Sequence, residues 1–173
     1  MAARTHHSSA IQSHSRSFDP YHGALAIEIE RLRSRHRSLV LYDAHSIRSR
    51  IPRLFDGVLP NFNIGTNQDT TCDPALTRRI EAVCAASHFS WITNGRFRGG
   101  WTIRHYGQAA RGVHAVQMEL ACRGYLDEPE EPLGPQNWPA PYEPDRAREL
   151  CRVLAQFLAG CLEFLDLSQR RAS

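Results

Sequence analysis

Lysine is absent from this chain of 173 residues, and all 21 basic residues are arginine. The absence excludes a Walker A nucleotide-binding loop, a Schiff-base mechanism and a Ser-Lys dyad, because each of these requires a lysine. A GC-rich genome is the simplest explanation of the preference for arginine. The net charge of +3 is too small to indicate a nucleic-acid partner, and we expect none.

Long apolar runs are also lacking. The longest apolar stretches of the sequence fall far short of the ~20 residues that a membrane span needs. Residues 1–17 are polar and contain no apolar segment of the signal-peptide type. We therefore expect a cytoplasmic protein without a membrane partner. The five cysteines form no C-x-x-C pair, which argues against a disulfide framework and a zinc ribbon. Cys84, Cys151 and Cys161 are predicted to be small buried apolar residues.

Several common catalytic motifs are missing as well. The sequence contains no His-Glu-x-x-His, no G-x-S-x-G and no G-x-G-x-x-G. These absences remove the usual forms of zinc protease, α/β-hydrolase and dinucleotide-binding enzyme. Any chemistry must therefore come from a less common arrangement of residues.

Capping residues and apolar periodicity predict alternating helices and strands. Asp19 as N-cap with Pro20 behind it begins a helix that ends near His36, and Asp73-Pro74 begins another. The further predicted elements are strands over 38–42, 89–93 and 113–120, and a helix over 143–167. This order is typical of an α/β layered domain. We predict a disordered leader (1–17), one domain (18–168) and a tail (169–173), with irregular connections over 47–72 and 127–144.

Two polar clusters follow predicted strands. Asp43-Ala44-His45-Ser46 follows the strand that ends at Tyr42, and Glu119 follows Val113–Met118. Ligands of α/β sheets gather at the carboxyl ends of strands. A histidine there can offer a neutral imidazole to zinc, and a nearby glutamate can take a proton from metal-bound water. The alternatives are a histidine that only makes structural hydrogen bonds and a glutamate that is simply solvated.

The segment 94–107 is dense in glycine, arginine and polar donors. Glycines let a backbone approach a ligand closely, and arginine binds carboxylates through two parallel hydrogen bonds. Such a segment suits a small anionic molecule. The alternative is an exposed, arginine-rich hairpin.

Five stretches, taken in order, resemble the N-formylglutamate amidohydrolase family. They are residues 41–48, 52–57, 60–66, 94–107 and 112–120, and the similarity extends from about Tyr21 to Leu167. The resemblance implies a zinc-peptidase-like α/β fold, a layered sheet with helices on both faces. It also implies zinc as cofactor and the hydrolysis of N-formyl-L-glutamate to L-glutamate and formate, a late step of histidine degradation.

The resemblance also implies roles for individual residues. His45 would be a zinc ligand that Asp43 supports, and Glu119 would be the general base. Asn94, Arg96 and Arg104 would bind the substrate, a small formylated amino acid with negative charge. The sequence does not indicate an oligomeric state.

The N-terminal residues depart from the family pattern. Family members carry a preceding strand and a His-Ser-Gly motif that supply further zinc ligands, whereas here His6-His7-Ser8-Ser9 lacks the glycine and the strand. We therefore expect a fold that is incomplete at its N-terminus. Two alternatives to an active deformylase follow. One is a truncated, non-catalytic member or a fragment that needs a partner chain, and the other is a deacylase of the aspartoacylase type.

Overall fold

The computed structural model describes residues 14–130 and 133–170. The chain divides into two compact units, residues 1–39 and 40–173, and the single domain over residues 18–168 stays a prediction. The helix of the first unit makes its main contacts with the turn that precedes it.

The first unit consists of a π-helical turn, His14–Phe18, that leads into helix α1 (Asp19–Arg33). The turn falls at the end of the predicted disordered leader, which stays a prediction; residues 1–13 lie outside the described residues, as do 171–173 of the tail. The turn corrects the predicted N-cap. Phe18 already has helical angles, φ −67° and ψ −53°, so Asp19 is the first residue inside the helix.

The second unit is built on a four-stranded sheet. Its strands are β1 (Leu39–Ile47), β2 (Phe62–Gly65), β3 (Trp91–Thr93) and β4 (Val113–Ala121). They lie in the order β1-β4-β2-β3. β2 pairs with β3 in parallel and with β4 in antiparallel register, which sets Asn63 opposite Glu119 and Gly65 opposite Gln117.

Two strands differ from the prediction. β1 does not end at Tyr42 but continues through Asp43–Ser46, because its neighbour β4 extends the hydrogen-bonded sheet beside it. β2 lies inside the predicted irregular connection 47–72. Its four residues are held as a strand by partners on both sides, although asparagine and glycine rarely favour strands.

One face of the sheet packs on helices α2 (Pro74–Ala85) and α4 (Pro144–Arg170). The α2 N-cap is the predicted Asp73, whose Oδ1 accepts from Ala75 N at 2.7 Å. Cys84 and Cys161 are buried as predicted, whereas Cys151 is exposed. The core that these elements enclose includes Val40, Tyr42, Phe62, Ile64, Leu76, Ile80, Val116, Met118 and Phe157.

The opposite face carries the short helix α3 (Trp101–Tyr106), within the segment predicted as an arginine-rich loop. Ile103 is fully buried and anchors this helix. Gly65 makes the contact possible, since a Cβ there would lie 2.7 Å from Gly99 N. The predicted arrangement, a layered α/β sheet with helices on both faces, is confirmed.

The remaining described residues are mainly irregular. The proline-rich excursion is tied back to the turn that follows β4, where Glu143 N donates to Tyr125 O at 2.9 Å. Among the helices of the described ranges, including the 27 residues of α4, none combines the length and apolar content needed to cross a bilayer.

Candidate functional site

Alternation along β1 places Asp43 and His45 on the same face of the sheet, away from Val40 and Tyr42 in the core. His45 Nε2 lies 2.9 Å from Asp43 Oδ1. With Nε2 donating to this carboxylate, the neutral ring presents Nδ1 as its lone-pair nitrogen. The Asp43 side chain is 12% exposed and that of His45 is 49% exposed, so the imidazole faces solvent from a partly buried support.

Glu119 lies on β4, the neighbour of β1, and is 7% exposed. Burial raises the pKa of its carboxyl; the nearby His45 opposes this rise and the negative charge of Asp43 adds to it. Asp43, His45 and Glu119 therefore share one electrostatic environment. The structure brings together the two clusters that the sequence places far apart along the chain.

Asn63 is a site residue that the sequence analysis missed. It is 1% exposed and faces Glu119 across the β2–β4 pair. Its Nδ2 donates to Pro60 O at 2.8 Å and to Glu119 O at 3.0 Å. Its Oδ1 is buried and accepts no hydrogen bond from the described residues. The one available signal was the polar side chain between Phe62 and Ile64, which alternation assigns to the opposite face.

Asn94 holds a turn that follows β2. Its Oδ1 accepts from Thr66 N at 2.9 Å and from Gln68 N at 3.3 Å, and its Nδ2 donates to Thr66 Oγ1 at 2.8 Å. Asn94 has a left-handed φ of 52°, and three consecutive residues of the turn, Asn67, Gln68 and Asp69, are left-handed too. The side chain is thus engaged in holding the backbone, and its predicted contact with substrate stays a prediction.

The arginine segment approaches the site through its backbone. Gly100 N donates to Gln117 Oε1, two residues before Glu119 on the same face of β4. Arg104 Nη1 donates to Gly99 O, and Arg96 is exposed. The segment therefore lies on the site face, while the roles of Arg96 and Arg104 stay predictions.

A second missed group lies where β1 and β4 end. Tyr125 Oη donates to Ser46 Oγ at 2.8 Å, and Cys122 Sγ lies 3.2 Å from Tyr125 Oη. Burial raises the pKa of the Cys122 thiol, and the negative charges of Glu128 and Glu119 add to the rise. Ser46 belongs to the predicted cluster 43–46, whereas Cys122 and Tyr125 lacked a recognisable motif, because only the fold brings residue 46 next to residue 125.

The described residues do not form a complete zinc site. A hydrolytic zinc usually has three protein ligands. In the ranges 14–130 and 133–170, no group of three or more His, Cys, Asp or Glu side chains is arranged to hold a metal ion. His45 would be one ligand, with Asp43 beside it, and the zinc itself stays a prediction.

Comparison with known proteins decides the family. The sequence model of N-formylglutamate amidohydrolase matches residues 2–126. The chain belongs to the N-formylglutamate amidohydrolase family. Similar relatives are the N-formylglutamate deformylases of Pseudomonas aeruginosa and Pseudomonas putida, each 48% identical over 144 residues. Each match covers 83% of this chain and 51% of the relative, so the chain spans about half the length of these family members.

A solved structure agrees on the fold. The crystal structure of N-formylglutamate amidohydrolase from Ralstonia eutropha JMP134 superposes with a TM-score of 0.70 and 18% sequence identity. The match covers 94% of this chain and 55% of the other. At this identity the likeness supports the family fold alone.

Proposed function

We propose that this chain acts in the hydrolysis of N-formyl-L-glutamate to L-glutamate and formate. The observation that carries the proposal is the meeting of Asp43, His45 and Glu119 on one sheet face, in a member of this family. The relatives named above are deformylases of this substrate. The proposal places the reaction in the cytoplasm, as a late step of histidine degradation.

Glu119 is the general base of the proposed reaction. It accepts a proton from water as the water oxygen bonds to the formyl carbon, and it returns a proton to the amine nitrogen as the C–N bond breaks. Burial and the Asp43 charge, which keep the pKa of Glu119 above its usual value despite His45, suit a group that acts first as base and then as acid.

The remaining residues have supporting roles in this proposal. His45 contributes to a zinc site and Asp43 orients its ring. Zinc would polarise the formyl carbonyl and activate water. Further ligands would come from outside residues 14–130 and 133–170, or from another polypeptide, since the described side chains supply too few. Arg96 and Arg104 bind substrate carboxylate, and Asn94 keeps their segment in position.

The test is a metal and product assay on the purified chain supplied with zinc. We expect about one zinc per chain and formate release from N-formyl-L-glutamate. Glu119→Gln should lower turnover by about 10²–10⁴-fold while zinc stays bound. Glu163→Gln, on an exposed part of α4, is the matched control and should leave turnover unchanged. Full activity of Glu119→Gln would refute the role of Glu119.

A second candidate function is favoured by the small number of described metal donors. In this alternative the chain alone is a non-catalytic family member, or it needs another polypeptide to complete the site. The non-catalytic alternative would be favoured if several chains together bound less than about one zinc and no formate were released. A panel of formyl, acetyl and succinyl amino acids would separate a deformylase from a deacylase of the aspartoacylase type.

A further inference from the structure

A cavity of about 170 Å³ lies beyond the ends of β1 and β4. It is large beside the ~10–15 Å³ that a single water requires. Its lining includes three arginines from two parts of the chain and two glutamates. The charged lining residues are Arg48, Arg50, Arg123, Glu128 and Glu130.

Hydrogen bonds fix the inner wall of this cavity. Ser49 N lies 3.1 and 3.2 Å from the two carboxylate oxygens of Glu128. Arg123 N donates to Ser49 Oγ at 3.2 Å, and the Arg123 guanidinium donates to Leu59 O and to Asn61 Oδ1. These last acceptors are uncharged, so they position the guanidinium without neutralising it.

Three guanidinium groups and two carboxylates line the described wall of the cavity, and Arg48 Cζ also lies 5.5 Å from the centroid of the Trp138 ring. Burial lowers the pKa of Arg123, Glu128 raises it, and Arg50 lowers it further. Arg123 is thus influenced by the attraction of Glu128 and by the weaker repulsion of Arg50. A guanidinium fork matches the geometry of a carboxylate, and an anion between two such groups would relieve the repulsion.

The cavity is separate from the arginine segment and lies towards the other end of β4. The segment contacts Gln117, Glu119 follows two residues later, and Arg123 lies just beyond the strand. The Cys122 thiol is influenced both by Glu128 of the cavity wall and by Glu119. Glu119 therefore lies between two arginine-bearing regions.

We propose that the Arg48–Arg50–Arg123 cavity binds the side-chain carboxylate of an N-acylated dicarboxylic amino acid. The inference rests on the proposed function and extends it to substrate selection. The α-carboxylate of such a substrate shares a carbon with the amide nitrogen and must stay near the reacting carbonyl. The side-chain carboxylate is held two methylenes away, so it needs a second, more distant cationic site.

A binding experiment tests the cavity without requiring turnover. Glutarate, a dicarboxylate of the glutamate skeleton, is titrated into the metal-free chain, with uncharged glutaramide as the control ligand. We expect glutarate to bind. Arg50→Gln should lower its affinity by about tenfold, because one charge-assisted contact is lost. Arg50→Lys should restore much of the affinity. Arg53→Gln, an exposed arginine outside the lining, should bind as wild type does.

A kinetic experiment connects the cavity to substrate choice. Arg50→Gln should raise KM for N-formyl-L-glutamate by about tenfold with little change in kcat, and leave KM for N-formyl-L-glutamine unchanged. The inference would be overturned if wild type and Arg50→Gln bound glutarate equally, or if wild type bound glutaramide as tightly as glutarate. Arg50-dependent glutarate binding without any formate release would support the cavity and reject the proposed function, so the two can fail separately.

Discussion

The two faces of the sheet share the same strands but differ in what they bury. On the core face Phe62, Ile64, Val116 and Met118 are at most 1% exposed and contact other apolar side chains. On the site face, buried polar groups such as Glu119 lie beside apolar ones such as Ile103. The pKa of Glu119 is raised by burial, and Asn63 Oδ1 has no hydrogen-bond partner among the described residues.

Alternate residues of each strand therefore have different effects on the stability of the fold. Apolar burial on the core face stabilises the fold, whereas burial of a charged group on the site face lowers its stability. The Tyr42 hydroxyl is an exception on the core face. It is buried without a hydrogen-bond partner in the described part of the chain, and burial raises its pKa. Truncating an apolar side chain on the core face should therefore lower stability, whereas neutralising Glu119 on the site face should raise it.

The largest stability loss is expected on the core face. Phe157 is fully buried and its ring packs edge-on against Phe62 at 5.1 Å. Phe157→Ala should lower the free energy of unfolding by about 3–5 kcal/mol, measured by urea denaturation. Leu162→Ala is the control on the same helix, where the side chain is 65% exposed, and should change it by less than about 0.5 kcal/mol. Equal losses would contradict the assignment of the two helix faces.

A smaller loss is expected at the Asn94 turn on the site side. Asn94→Ala removes three hydrogen bonds and keeps a Cβ at a left-handed φ, so it should cost about 2–3 kcal/mol. Asn94→Gly loses the same bonds but adopts this φ freely, so it should cost about 1 kcal/mol less. Thermal unfolding of both variants separates side chain from backbone. No difference between them would mean that the turn relaxes.

Glu119→Gln should have the opposite sign and depend on pH. The folded pKa of Glu119 is raised from 4.5, so the folded state binds this proton more tightly than the unfolded state. Wild type therefore loses stability as pH rises from the unfolded pKa through the folded one. In metal-free protein the variant should have the higher Tm at pH 7, by about 2–4 °C per 1 kcal/mol. The difference should vanish below about pH 4. A lower Tm of Glu119→Gln at pH 7 would refute the expected cost of burying the charged Glu119 carboxylate.

Asp73, the N-cap of α2, belongs to neither buried face of the sheet. Its substitution therefore measures the effect of one local hydrogen bond on stability. Asp73→Ala should cost about 1 kcal/mol, since Ala75 N loses its acceptor. Asp73→Asn keeps a capping oxygen and should be close to neutral. If both substitutions cost the same in urea denaturation, the charge of Asp73 matters more than the cap.

The sequence predicted the elements whose local signals agree with the fold. The cap at Asp73, the apolar stripe of α4 and the strand at residues 113–120 depend on neighbours along the chain. β2 could not be predicted, because pairing with β3 and β4 overrides the weak strand preference of Asn63 and Gly65. The end of β1 was misplaced for a similar reason.

The candidate site could be proposed from the sequence only where a motif marks it, and its residue roles stay predictions. Asp43, His45 and Glu119 stand in stretches that resemble the family, whereas Asn63 and Tyr125 become visible through cross-strand contacts. Asn94 shows the limit of motif reasoning, since its local sequence suggests a ligand-binding loop and its hydrogen bonds hold a left-handed turn. The alternating pattern of β2 could have suggested Asn63 once the strand was known.

The close approach of Gly65 and Gly99 limits which sequences this architecture tolerates. A Cβ on Gly65 would collide with Gly99 N, and Gly99 has a φ of +126°, which residues with a Cβ rarely adopt. In a library that randomised residues 63–67 and 96–100, selection for folded protein would leave glycine at both positions, while the exposed Arg96 and Arg98 would vary widely. The side chains of the arginine segment can thus change while its docking on the sheet stays fixed.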